Sequence, residues 1–174
     1  MARPKHRPGR KAHRPLSRDQ LLRRMPMGLR PRLHASTQQS LDMVHHQNLD
    51  DIAKGTATIT TLWHFCGGVL TFSRIAAELQ AGEPEMHAQL DLAQQLLQRY
   101  ARTGRVGFSG PEYQLAKDGV VYMAQLAELV DHPTAALAAE WADAAVQAAA
   151  DVGVQTACVH TMAQAAGTFY QASK

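Results

Sequence analysis

The sequence predicts an all-α protein, a bundle of four to six helices with a flexible basic N-terminal arm. Three observations lead there. Alanine is abundant and aromatic residues make up only 6% of the chain, which favours helices over packed β-sheets. Apolar residues recur at three- and four-residue spacing between well-formed start and stop signals. Finally, 11 of the 18 Lys and Arg residues fall in the first 33 positions, so the charge divides into a tail and a body.

The arm, residues 1–33, carries Arg3, Lys5, Arg7, Arg10, Lys11, Arg14, Arg18, Arg23, Arg24, Arg30 and Arg32 against the single acid Asp19, a net +10. Residues 34–174 hold 7 basic and 14 acidic residues, a net −7, and together they make the formal +3 of the chain. Five of the eight prolines also lie in the arm: Pro4, Pro8, Pro15, Pro26 and Pro31. Proline lacks an amide proton and turns the preceding residue away from helix. Residues 1–15 are therefore expected to be extended and largely disordered when free. Ser17 and Gln20 have capping-box spacing before Leu21 and Leu22, which predicts a short helix ended by Pro26.

In the body, Ser36 and Gln39 repeat the capping-box spacing. Leu41, Val44, Leu49 and Ile52 continue it, and Gly55 stops it, predicting a helix over about 36–54. His45–His46 point about 100° apart on such a helix, so they are expected to be a partly exposed polar pair and not a shared ligand. Thr58 caps the next segment, which runs to about Gln80 and is apolar nearly all round before residue 73. That pattern predicts a central, buried helix. Gly67–Gly68 sits in its middle, where each glycine costs about 1 kcal/mol against alanine; close approach of another helix or a kink must compensate.

Gly82 is read as the end of that helix. Pro84 suits the first turn of the next one, with Glu83 and Glu85 at its positive end. Leu90, Ala93, Leu97 and Tyr100 mark its face, and Thr103–Gly104 closes it. Three glycines, Gly104, Gly107 and Gly110, then surround Val106 and Phe108. This is the distinctive loop of the body, and Arg102, Arg105 and Phe108 form its candidate interaction surface. Arg102 and Arg105 would flank an anion at the following helix start. The bland alternative is a connector with Phe108 plugged into the core. Ser109, Pro111 and Glu112 announce a helix to about Val130. Asp131-His132-Pro133 breaks it. From Thr134 the chain is alanine-rich, with Gly153 as an interruption; a helix of such small residues could pack closely on a partner, and a homodimer is one expectation.

Nine histidines and two cysteines raise the question of a metal. His64/Cys66 and Cys158/His160 mirror each other, but residues i and i+2 lie about 200° apart on a helix. Neither C-x2-C nor H-x3-H spacing occurs. The expectation is no metal, no cofactor and no catalytic residue, since no nucleophile elbow, phosphate loop, zinc-protease helix or dinucleotide fingerprint is present. Two cysteines make no disulfide framework, the basic N-terminal residues lack the apolar core of a signal peptide, so export is not expected, and no apolar run reaches the roughly 18 residues of a membrane span. A cytoplasmic location without membrane contact is expected.

The opening Lys5-His6-Arg7-Pro8, the later Gly55-Thr56-Ala57-Thr58 and the stretch from Arg102-Thr103-Gly104-Arg105-Val106-Gly107-Phe108 to Ser109-Gly110-Pro111-Glu112 resemble a group of small, basic-tailed helical proteins. These are carried by prophages and plasmids of proteobacteria, and some bear a loose transcription-regulator label. The resemblance spans roughly residues 3–130. It implies a helical protein of a mobile element and no catalytic residues. The resulting expectation is a non-enzymatic accessory or regulatory protein that contacts DNA or RNA through residues 1–33. The alternative is a protein–protein inhibitor or adaptor acting on a defence, conjugation or transcription complex.

Overall fold

A computed structural model describes residues 30–164. Nine of the eleven basic arm residues and the short helix expected before Pro26 lie outside them, as does the end of the chain from residue 165. Five long helices follow one another: α1 Ala35–Lys54, α2 Ile59–Leu79, α3 Glu83–Thr103, α4 Gly110–Leu129 and α5 His132–Val152. A further helical turn covers 159–164. The all-α class predicted from spacing is the observed one, and no helix among the described residues is long and apolar enough to cross a membrane.

The first four helices close a ring in which α1 packs on α2, α2 on α3, α3 on α4 and α4 on α1. Helix α2 also touches α4 across the ring and takes α5 on its outer side. It therefore meets every other long helix, as its all-round apolar sequence requires. Leu62, Val69, Leu70, Phe72 and Ile75 are at most 2% exposed. A Leu70→Ala change would cost about 2–5 kcal/mol.

The local signals differ in detail from the reading above. Helix α1 is capped by the His34 side chain, which accepts from the Ser36 amide, and not by Ser36 itself. Helix α2 ends at Leu79, close to the expected Gln80, but Gly82 does not close it. Gln80 takes the left-handed conformation there, with φ 52°, and closes the helix through Ala76 and Ala77 carbonyls. Gly82, at φ 71°, instead precedes α3 as its N-cap. Asp131-His132-Pro133 is both a break and a start: Asp131 caps α5 by accepting from the Thr134 amide, and Pro133 occupies the first turn. The capping boxes at Thr58 and at Ser109/Glu112 are present.

Of the paired glycines of α2, Gly68 is explained by close approach, while Gly67 has room for an ordinary contact. A Cβ on Gly68 would stand 2.6 Å from the His45 ring, and one on Gly67 would touch Val146 of α5. His45 also meets Phe72 edge-on at 5.4 Å. The two members of the expected partly exposed pair differ: His46 faces solvent beside Asp42, at 3.5 Å, while His45 is half-buried, and its Nε2 is enclosed and has no hydrogen-bond partner among the described residues. Burial pushes its pKa down to about 4, against a smaller upward pull from Asp42.

Candidate nucleic-acid interface

Of the eleven basic arm residues, Arg30 and Arg32 fall within the described residues, and both sit at the corner between α4 and α5. Asp131 organises that corner. It is 6% exposed, and its Oδ1 accepts from the Thr134 amide at 2.9 Å. Its Oδ2 faces the Arg30 guanidinium at 3.6 Å. Arg30 also donates to Thr134 Oγ1 at 3.4 Å. The His132 amide donates to the Pro31 carbonyl at 2.9 Å, and Arg32 pairs with Asp131 in an isolated antiparallel bridge. Leu33 follows into the core at 8% exposure. Residues 30–33, read from charge as the end of the arm, are therefore laid against the body. A buried carboxylate needs a partner, and Arg30 is that partner. Arg32 and His132 face solvent beside it.

The loop Arg102–Glu112 does not gather its three singled-out residues. Arg102 and Arg105 are exposed. Phe108 is half-buried, with its ring 6.3 Å from Phe65 and 6.1 Å from Tyr113. Phe108 packs against the core, as the connector reading has it. The organising residue is Arg99, which composition and spacing do not single out. It donates to the Gly107 carbonyl and to both carboxylate oxygens of Glu112, at 2.5 and 3.0 Å. Glu112 accepts in addition from the Ser109 amide at 2.6 Å. The helix start, where Glu112 was already expected to cap the amides, is occupied by this chain's own carboxylate. The Arg99 bonds, followed by those from Ser109, hold the Glu112 carboxyl down at about 2.

The mirrored His/Cys pairs are separated. Cys66 is buried, and burial pushes its thiol up to about 12. His64 is exposed. Hydrogen bonds from Thr161 hold the Cys158 thiol below its usual range. His160 lies 2.9 Å from Asp91 and 5.9 Å, centroid to centroid, from His87. The spacing of His87 and Asp91, four apart on α3, is the signal by which this cluster could have been found. No three His, Cys, Asp or Glu side chains among the described residues are placed to hold a metal ion. Beside His87 and His160 opens a cleft of about 260 Å³ between α2, α3, α5 and the terminal turn, walled by Met86, Leu90 and Trp141.

No family model, no curated protein and no solved structure matches this chain.

Proposed function

We propose that the chain is a non-enzymatic accessory or regulatory protein of mobile-element type, acting in the cytoplasm and contacting nucleic acid through its basic arm. One observation carries the reading: residues 1–33 bear +10 while the rest of the chain bears −7. Lysines and arginines at that density displace counterions from phosphates. Arginine, nine of the eleven here, also forms two-pronged bonds to phosphate. An acidic body is repelled by the same polyanion, so contact is confined to the arm and its root. The arm has no aromatic residue to stack on a base, which favours backbone contact over readout of single strands.

The test is fluorescence anisotropy with duplex DNA and single-stranded RNA at about 50 and 200 mM salt. The full chain is compared with a chain beginning at Arg30, which keeps the contacts to Asp131. The full chain is expected to bind with a steep salt dependence, and the shortened chain to lose most of it. Equal affinity of the two chains would sink the reading. No binding by either would turn attention to a protein partner for the body.

A further inference from the structure

The junction of arm and body treats its two arginines differently. Arg30 faces the Asp131 carboxylate, which is enclosed by the corner it caps. Moving that guanidinium to a phosphate would strand a buried anion, which is strongly unfavourable. Arg32 is attached to the corner through its backbone bridge to Asp131, and its side chain is among the exposed groups, next to exposed His132. The attachment is reinforced on either side. His132 donates to Pro31, Leu33 is buried, and the Gln38 amide donates to the Leu33 and Ala127 carbonyls at 3.4 and 3.1 Å. Backbone, charge and apolar contacts thus all act within four residues.

We propose that the α4–α5 corner is the body's share of the nucleic-acid surface: Arg30 is a positioning residue that pins the root of the arm to Asp131, and Arg32, beside His132, meets the phosphate backbone itself. This rests on the nucleic-acid reading of the arm. Pinning fixes where the arm departs, so a duplex gripped by the arm is held against this corner. Ordering that root before binding lowers the entropy lost on association.

Duplex DNA anisotropy with the full chain separates the two roles. Arg32→Ala is expected to lower the slope of log affinity against log salt by about 0.9, one phosphate contact. Arg30→Ala is expected to leave that slope unchanged and to weaken binding at every salt by about twofold to tenfold, the scale of one side chain's ordering. Arg30→Lys, which keeps a cation for Asp131, restores most of the affinity. Asp131→Asn is the second probe of the same contact. It preserves the α5 cap, because asparagine caps as well as aspartate, yet it removes the charge that Arg30 faces, so it too weakens binding without lowering the slope. The assignment is overturned if Arg30→Ala lowers the slope as much as Arg32→Ala does. It is equally overturned if Arg32→Ala leaves the slope intact, or if both Arg30→Ala and Asp131→Asn bind like the parent. Absence of any salt-dependent binding by the parent chain would instead remove the nucleic-acid reading, and this inference with it.

Discussion

At the scale of single residues, two glycines decide how closely the helices approach. A Cβ at position 119 of α4 would stand 2.3 Å from the Gln89 side chain of α3. Gln89 is 1% exposed and donates to the Leu115 carbonyl at 2.9 Å, so its amide has little room to retreat. Gly68 stands in the same relation to His45. Alanine normally stabilises a helix interior by up to about 1 kcal/mol over glycine. Here Gly119→Ala and Gly68→Ala are expected to destabilise by about 1–3 kcal/mol, because overpacking outweighs propensity. Urea denaturation measures this, and an unchanged or raised midpoint would refute the close-approach account. Two glycines in an apolar helix demand compensation, by close approach or by a kink, and that much is legible in the sequence at Gly67–Gly68. The sequence could not name His45 as the approaching group. That depends on which turn of α1 lies across α2, and spacing along one helix carries no such information.

At the scale of elements, two polar contacts respond to acid in different windows. His45 joins α1 to α2, and its folded pKa of about 4 lies below the ordinary 6.5. The unfolded chain therefore binds the proton more readily, and stability falls as pH drops from about 6.5 towards 4, by about 3 kcal/mol in full. Glu112 joins α3 to α4 through Arg99. Its folded pKa of about 2 lies below 4.5, so its contribution is complete above 4.5 and is lost as pH falls through 2. Arg99 is 33% exposed, and solvent screening reduces this second contribution to about 1–2 kcal/mol. His45→Leu is expected to flatten the stability profile between pH 6.5 and 4 while leaving the lower limb in place. Glu112→Gln does the converse, and thermal melts across the range distinguish them. A His45→Leu profile as steep as the parent's above pH 4 would rule out the enclosed imidazole as the cause. The helices themselves were legible because caps and apolar spacing are local properties: Thr58, Ser109 with Glu112, and Pro84 all mark real starts. Gln80 and His34 were not legible as ends. Each acts there through the conformation or hydrogen bond it happens to adopt, and neither residue type signals it strongly. Arg99 was missed for a related reason. Its partners at Gly107 and Glu112 come together only when the loop folds back on α3.

At the scale of the whole molecule, charge and packing place the division between arm and body at different residues. Charge extends the arm to residue 33, because Arg30 and Arg32 belong to the basic run. Packing counts Arg30 to Leu33 with the body, because Leu33 is in the core and Arg30 neutralises a buried carboxylate. Packing governs folding, so removing residues 1–29 is expected to leave thermal unfolding cooperative, with its midpoint nearly unchanged. Removing residues 1–33 takes away the Leu33 side chain and the partner of Asp131, and is expected to cost about 2–5 kcal/mol. The comparison also isolates the electrostatic contribution. The shorter deletion removes nine cations and Asp19, a net +8, and keeps Arg30 to Leu33. A change in stability that fades as salt rises reports attraction between arm and acidic body, because the reach of exposed charges shrinks to about 10 Å at about 0.1 M salt. Equal stability of the two shortened chains at all salt concentrations would show that residues 30–33 contribute nothing to the fold, and the pinned root of the arm would have to be abandoned.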